Sequence, residues 1–482
     1  MKRLIKRIRC LLPLLVLPLI PTRGDAEDWP QFRGHNAGGV STSEKSLPTE
    51  FSDAQNRLWS VKVGDGACSP IVFDGRVFTT AMTGEQELAV FAFDAATGQE
   101  LWKQEYDTGK LPRTTPPNSA ASSTPACDGE RIYVYFSTLG LLALDVRTGA
   151  KVWRHEMEVP AYLMDWGAAS SPIVYKDSVL FNQDDDLAPA LFAVDSRTGK
   201  RRWKAERSEM LAGYAIPVIC EANGRTDVVI SGSGKLKGYD PLTGKELWTC
   251  NTLLRTMITS PVERDGVIYV SVQSYGDHTR TLKFALLEWL DTDQDGILSR
   301  AEIPVEFWSR FDQSDRDKSG TLSGIELDTA FVSLDNQTAG GNTIQAIRGG
   351  GTGDVTKTHV LWNLNNRSPS NISSPLVVNE QLFVVKKGGI SSSFSTKDGT
   401  PHWELSRIRA IGDYYGSPAA GDGKIYVPGE NGTIVVLEQG SKLKVLAQND
   451  IGESCLSSPA IADGRLFIRG RESLHCFSRE AQ

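Results

Sequence analysis

Reactive sulfur and histidine chemistry is scarce in this chain. Its 482 residues hold seven cysteines and six histidines. No two cysteines are adjacent, no Cys-x-x-Cys occurs, and the histidines stand singly. A zinc site needs Cys and His at short, repeated spacing, so this distribution argues against one. Gly-x-Ser-x-Gly and His-Glu-x-x-His are both missing, which removes the sequence signatures of a serine-hydrolase elbow and of a zinc peptidase. Ser231-Gly-Ser-Gly-Lys235 lacks the leading glycine and the following Ser or Thr of a phosphate loop. The glycines at 349–353 run into Asp354 and a strand-like stretch, and read as a connection.

Positive charge is also short. The formal net charge is −7, and six of the basic residues (Lys2, Arg3, Lys6, Arg7, Arg9, Arg23) crowd into the first 26 positions. Without them about 46 basic face 58 acidic residues, a net near −12. So acidic a chain is ill suited to nucleic-acid backbones, which require clustered Lys and Arg. The longest apolar run, over residues 11–20, falls short of the ~20 residues that span a bilayer. A basic start, this short apolar stretch and Gly24-Asp25-Ala26 together read as a secretory signal over residues 1–26, and place the protein in the periplasm or outside the cell. Pro13 and Pro18 are unusual within such a stretch. With Cys10 removed, six cysteines remain (Cys68, Cys127, Cys220, Cys250, Cys455, Cys476), for which small buried apolar roles are expected.

What the chain does have is a repeat. Ser-Pro or a variant opens a short apolar strand, an Asp-Gly turn leads to a second strand, and a third ends in Asp-x-x-Thr-Gly-x-x-x-Trp. Copies begin at Pro70, Pro125, Pro172, Pro217, Pro261, Pro375, Pro418 and Pro459. The Asp-to-Trp element is complete at Asp94–Trp102, Asp145–Trp153, Asp195–Trp203 and Asp240–Trp248, and weaker around Trp403 and Lys444. Periods of 41 to 55 residues filled with short strands indicate propeller blades. Asp-Gly supplies the positive-φ residues of a tight hairpin, and the tryptophan is placed to cover the gap between blades. The last copy stops after three strands, while Arg57-Leu58-Trp59-Ser60-Val61-Lys62-Val63 is an orphan fourth strand. The two ends are therefore expected to complete one blade. The reading is all-β: an eight-bladed propeller with a small α-helical insertion, divided into an extension over 27–56, propeller segments over 57–280 and 341–482, and an insertion over 281–340.

That insertion holds two twelve-residue loops. The first has Asp291, Asp293, Asp295, Ile297, Ser299 and Glu302 at positions 1, 3, 5, 7, 9 and 12, with Gly296 at 6. In the second, Asp315, Asp317, Ser319, Thr321, Ser323 and Glu326 occupy the same positions around Gly320. These are the oxygen donors that an EF-hand offers to calcium, positions 7 acting through their carbonyls. Two Ca²⁺ are expected, the second held more weakly because Ser319 replaces a carboxylate. Residues 281–290 read as a helical lead-in and 301–311 as the helix joining the loops.

Loops that precede each Ser-Pro ring one mouth of a propeller's channel. Here they carry residues 113–119, Asp165, Trp166, Tyr214, Arg255, Asn371, Tyr414, Tyr415 and Glu453, candidates for a protein, peptide or carbohydrate ligand. Asp184-Asp185-Asp186 reads as a solvated acidic turn. A monomer is expected.

The repeats resemble the pyrroloquinoline-quinone-like propeller superfamily, which includes quinoprotein dehydrogenases and the outer-membrane assembly lipoprotein. Asp28-Trp29-Pro30-Gln31-Phe32-Arg33-Gly34 and the paired loops resemble a secreted, planctomycete-type subgroup. The resemblance implies eight blades and raises two activities, quinone-dependent dehydrogenation and assembly. The dehydrogenases carry a vicinal cysteine pair, absent here, and their calcium-ligating Glu, Asn and Asp and catalytic Asp find no matching motif. Pyrroloquinoline quinone is therefore unsupported by residues. A binding or assembly module is the leading expectation; a quinone-dependent or sugar-acting enzyme is the alternative.

Overall fold

The computed structural model describes residues 27–162, 165–208, 213–232, 235–251, 258–272, 287, 290–329, 343–365, 370, 372–409 and 412–479. The expected signal segment over residues 1–26, most of the expected helical lead-in, Arg255 and Asn371 lie outside them.

Eight sheets, each built on four antiparallel strands, are arranged as blades, and in the fourth a short fifth strand, Gly353–Asp354, adds parallel to the outer strand Glu246–Cys250. Blade 1 runs through Ile71–Phe73, Arg76–Met82, Glu87–Asp94 and Glu100–Asp107. Blades 2 to 7 repeat the pattern, beginning at Ala126–Cys127, Ile173–Tyr175, Val218–Ala222, Val262–Arg264, Leu376–Val378 and Ala419–Gly421. In blade 8 the strand Arg57–Lys62 pairs antiparallel with Ser473–Phe477, so the first strand of the chain is the outermost strand of the last blade. This closure leaves no blade short of a strand and no open edge within the ring.

Two sets of contacts hold neighbouring blades together, and both explain the repeat. Near the axis, the residue before each proline accepts a hydrogen bond from its counterpart in the preceding blade. The Ser69 amide donates to Thr124 Oγ1, Thr124 to Ser171 Oγ, Ile216 to Ser260 Oγ, Ser260 to Ser374 Oγ, Ser374 to Ser417 Oγ, Ser417 to Ser458 Oγ and Ser458 to Ser69 Oγ, all at 2.8–3.0 Å. Ile216 has no hydroxyl, so the circle is interrupted between blades 3 and 4. At the rim, five outer-strand tryptophans donate the indole N–H to the turn of the next blade, whereas Trp248 donates to Asp227 Oδ2 and Trp403 to Ser391 Oγ within their own blades. Trp59 bonds Ala95 O, Trp102 bonds Val146 O, Trp153 bonds Ser196 O, Trp203 bonds Pro241 O and Trp362 bonds Thr396 O. The Thr-Gly glycine lies flat against that ring. A Cβ at Gly244 would stand 2.4 Å from Trp203, and φ there is +71°. Asp94, Asp145, Asp195 and Asp240 tie the turn, each accepting from two backbone amides and the threonine hydroxyl.

The extension before the propeller enters the channel and hydrogen-bonds to all eight blades. Trp29 pairs with Val72, Pro30 O accepts from Cys127, Gln31 Oε1 from Val174, and Asn36 bonds Ile219 and Glu263. Arg33 reaches Pro375 O, Gly39 and Ser41 bracket Ala420, and Glu44 accepts from Gly464. The six described cysteines are buried, and none forms a disulfide among the described residues.

Within the insertion, the expected 301–311 helix is divided. A 3₁₀ turn at Arg300–Glu302 stops at Ile303, whose ψ is 128°, and helix restarts through Val305–Phe307 into Trp308–Ser314. Pro304 is the reason, because it excludes the helical conformation from the residue before it.

Replacing Ser374 by Ala is expected to strand the buried Ser260 amide and cost about 1–3 kcal/mol. Urea unfolding measures this; an unchanged midpoint would contradict the role given to the axial ring.

Candidate functional site

The inner strands begin at the ring of Ser/Thr-Pro residues, and above it the loops between blades enclose a cavity of about 300 Å³. Phe32 of the N-terminal segment closes the floor, and Ser69, Thr124, Ser171, Ser260, Ser374, Ser417 and Ser458 surround it. Trp166, Tyr214 and Tyr415 form aromatic walls, with Pro116, Pro117 and Asn118 from the second blade's loop. Tyr214 stacks on Tyr162 at 5.4 Å between centroids, and Trp166 meets Tyr214 at 6.0 Å. Asn118 Nδ2 donates to Trp166 O and the Thr115 amide to Asp165 O, which fastens two adjacent loops together.

Of the sequence candidates, Trp166, Tyr214 and Tyr415 face the cavity together. Asp165 stands at its rim, 3.9 Å from the exposed Arg113 guanidinium. Tyr414 is 2% exposed and packs among the apolar strands of blades 6 and 7. Glu453 lies in a separate cleft beside blade 8, where His475 Nε2 is 2.8 Å from its Oε1 and the Glu472 amide donates to Oε2. Burial opposes its charge, but these hydrogen bonds hold the Glu453 carboxyl below the usual range. Phe32 and the serine ring were not recognised as lining from the sequence. The Ser-Pro repeat was the available signal for the ring; nothing local marks Phe32, because its position depends on a segment folding back through the hub.

Among the described lining residues none is charged. The cavity can stack a flat group on indole or phenol rings and exchange hydrogen bonds through hydroxyls and Asn118. Its described lining residues include no acid–base pair.

The wall is braced from behind. The expected solvated turn at Asp184-Asp185-Asp186 is instead interior at its first two residues, 0% and 3% exposed. Asp184 pairs with Arg207 through Nε at 2.8 Å and Nη2 at 3.1 Å, and Arg207 Nη1 donates to Tyr239. Burial raises the Asp184 carboxyl above the ordinary range while Arg207 opposes that shift. Asp184 O also accepts from the Gly213 amide, next to Tyr214. A buried carboxylate needs its cation close by, and this one comes from a residue 23 positions away that the local sequence does not mark.

The insertion presents a second site. Leu298 pairs with Leu322 and Ser299 with Thr321 in a two-stranded sheet, bringing the two loops back to back. Oxygens of Asp291, Asp293 and Glu302 lie within 4.8 Å of one another, as do those of Asp315, Asp317 and Glu326, and each group could hold a metal ion. Gln294 and Lys318, both at position 4, and Gly296 and Gly320, both at position 6, adopt positive φ, so the loops share one backbone course. Asp295 Oδ1 accepts from the Ile297 amide, Ser299 Oγ donates to Glu302, and Ser319 Oγ donates to Thr321 O. Ser323 precedes the helix Gly324–Thr329, its carbonyl accepting from Glu326. The module's apolar core, including Phe307 and Phe311, packs against Ala161, and Arg310 donates to Leu187 O of blade 3. It therefore rests on blade 3, two blades from its insertion point in blade 5.

The fold and site define a repeat propeller whose mouth cavity has no charged group among its described lining residues. The family model described as outer membrane protein assembly factor BamB matches residues 53–166, 163–268 and 339–477, and the chain belongs to that family. The protein is 20% identical over 410 residues to the outer membrane protein assembly factor BamB of Yersinia pestis, covering 82% of this chain and 92% of that protein. It is 28% identical over 139 residues to the quinohemoprotein alcohol dehydrogenase ADH IIB of Pseudomonas putida, 28% of this chain and 19% of the relative. The chain thus spans about a fifth of that enzyme's length. The quinohemoprotein alcohol dehydrogenase of Comamonas testosteroni superposes with a TM-score of 0.58 at 12% identity, over 94% of this chain and 81% of that one, a likeness of fold. Among the described residues no helix is long and apolar enough to cross a membrane.

Pyrroloquinoline quinone is a tricarboxylate. Among the described lining residues there is no Lys or Arg to receive it, and the chain has no vicinal cysteines. The described lining residues do not fit that cofactor.

Arg207→Met is expected to destabilise the protein by ~3–5 kcal/mol by leaving Asp184 buried and unpaired. The variant's Asp184 would have its folded pKa raised further, so the lost stability should return as pH falls and the carboxyl is protonated. Urea titrations between pH 4 and 8 (about the stable range of most folded proteins) check both the loss and its sign.

Proposed function

We propose that this protein is an exported binding or assembly module, a propeller whose mouth cavity takes an uncharged segment of a protein, peptide or carbohydrate, and whose insertion holds two Ca²⁺. The observation that carries the first part is the cavity lining: aromatic faces and hydroxyls without a charged group among the described residues. Such a wall favours stacking and neutral hydrogen bonding, and lacks the polarised groups that bond cleavage or hydride removal requires. The BamB relative is aligned over most of both chains, whereas the dehydrogenase match is confined to a fifth of the enzyme. Export is supported by the basic and apolar opening of the sequence.

Calcium is supported by the donor pattern at positions 1 to 12 and by the convergence of three carboxylates in each loop. The ion would be held by Asp291, Asp293, Asp295, Ile297 O, Ser299 and Glu302, and by Asp315, Asp317, Ser319, Thr321 O, Ser323 and Glu326. Extracellular calcium modules bind at ~10⁻⁴–10⁻³ M, which suits a structural ion that fastens the two loops against blade 3.

Isothermal titration with CaCl₂ is expected to give two events, Glu302→Gln removing the tighter and Glu326→Gln the weaker; identical heats in all three proteins would refute the ligand assignment. For the cavity, neutral peptide and glycan arrays probed with the wild type and Trp166→Ala should show retained ligands lost at least tenfold in the variant, one tenfold being about 1.4 kcal/mol of stacking. Sustained dye reduction with alcohols after addition of pyrroloquinoline quinone and calcium would overturn the binding-module reading in favour of an enzyme.

A further inference from the structure

The inner strands run from the Ser/Thr-Pro ring to the hairpin turns, and at the turn end of the channel, opposite the mouth, a second cleft of about 640 Å³ opens between the N-terminal segment and blades 3 to 5. Its lining includes Gln31 and Asn36 from the segment, and Tyr175, Glu221, Glu263 and Asp265 from the blades. Acids are common on this face, because five hairpin turns carry one. Each of those five is matched within its own blade: Asp74 by Arg76 at 3.0 Å, Asp128 by Arg131 at 3.8 Å, Asp177 by Arg202 at 2.6 Å, Asp422 by Lys424 at 2.6 Å and Asp463 by Arg465 at 3.6 Å. Glu221, Glu263 and Asp265 differ, since none of them forms an ion pair among the described residues. Burial first, and then the neighbouring Asp265, raises the Glu263 carboxyl above its ordinary range; the Gly266 amide, Arg264 and Asn36 oppose this without cancelling it.

The backbone at this cleft is also incompletely paired. Alternation in an antiparallel pair turns both the amide and the carbonyl of every second residue away from its partner. In the innermost strands those residues stand two places after the blade's proline and face the hub, where the N-terminal segment meets them. Trp29 exchanges two hydrogen bonds with Val72, Gly39 and Ser41 bracket Ala420, and the Asn36 side chain closes on the amide and carbonyl of Ile219. The equivalent residue of blade 5 is Glu263. There the segment offers only Asn36 Nδ2, 3.3 Å from the side-chain carboxylate, and no hydrogen bond from beyond its own sheet reaches the Glu263 amide or carbonyl among the described residues. Gln31 adds an unanswered donor. It is 7% exposed and its Oε1 accepts from the Val174 amide, which leaves Nε2 turned to the cleft without a partner among the described residues.

We propose that this cleft docks an extended peptide segment of a partner protein that carries a lysine or arginine. Its backbone pairs with Glu263 as the chain's own segment pairs with Val72 and Ala420, and its cation sits among Glu221, Glu263 and Asp265. Adding an extended segment to an exposed strand edge draws affinity from main-chain hydrogen bonds and specificity from side-chain pockets. Gln31 Nε2 donates to a carbonyl of the peptide, and the aliphatic stem of the basic residue rests on Ile219 and Tyr175. A metal ion would answer the carboxylates but leave the Glu263 backbone and Gln31 Nε2 unpaired, and both Glu263 oxygens already accept hydrogen bonds, from Gly266 and Asn36. The site is independent of the mouth cavity and of the calcium loops.

Pools of blocked, fluorescein-labelled nonapeptides, each pool with one residue fixed at the centre, are titrated with the full chain and followed by fluorescence polarisation. Pools fixed as lysine or arginine should bind at least tenfold more tightly than those fixed as glutamate or norleucine, and added salt should weaken them. Glu263→Gln and the double variant Glu221→Gln with Asp265→Asn should each lose that preference, whereas Asp463→Asn, whose acid is matched by Arg465, should keep it. N-methylation of the amides flanking the central lysine should abolish binding, because it removes the donors that meet the Glu263 carbonyl. If Glu263→Gln fails to fold, the double variant and the N-methylated peptides decide. Equal binding of all pools would overturn the proposal. So would a basic preference that survives both variants, which would be general attraction to an acidic chain. A melting shift with MgCl₂ that Glu263→Gln abolishes, with no pool retained, would overturn it in favour of a metal ion.

Discussion

The disc depends on a hydroxyl placed one residue before a proline. Proline removes a backbone donor and fixes its own φ, so the residue ahead of it is held extended at the start of each inner strand. Its amide then points across the blade boundary toward the next hydroxyl. Seven such bonds, from Ser69 round to Ser458 and back, set the angular spacing of the blades at their narrowest point. The tryptophan–glycine contacts repeat the arrangement at the rim, with an indole donor in place of an amide. An outer wedge and an inner ring that agree on the same angle leave little freedom in the number of blades.

The same ring prepares the mouth. Hydroxyls engaged by backbone amides stay in place, and the loops above them bring Trp166, Tyr214 and Tyr415 to one cavity. Loops of this kind carry function in rigid scaffolds because their ends are fixed. Here the loop of blade 3 is additionally pressed by the inserted module through Ala161, and braced by the Asp184–Arg207 pair.

Much of this could be read from the chain. The blade count, the strand order and the completion of blade 8 by residues near 57–63 all followed from periodic Ser-Pro, Asp-Gly and Thr-Gly-x-x-x-Trp elements, because each element performs the same geometric task at every repeat. The pairing of the two acidic loops was legible for a related reason, since the spacing of residues within a loop is a local property. What escaped was long-range. Tyr414 and Tyr415 are neighbours in sequence, yet one enters the core and the other the cavity, as alternation along an extended segment requires. Asp184 looked like a surface acid until Arg207 arrived from another strand. Pro304 was noticed, but its effect on Ile303 divided a helix that periodicity alone joined. Phe32 and Arg33 owe their surroundings to eight blades at once, which no window of sequence contains.

Because the outer strand of the final blade is Arg57–Lys62 and its partner is Ser473–Phe477, the ring has no closed form until residues 473–477 are present. Synthesis from the N-terminus therefore leaves an early strand waiting through more than four hundred residues for its mate. The lock and the key are made more than four hundred residues apart, and removal of residues 473–477 alone would leave two raw sheet edges, at Arg57–Lys62 and at Arg465–Arg469, inside the last blade.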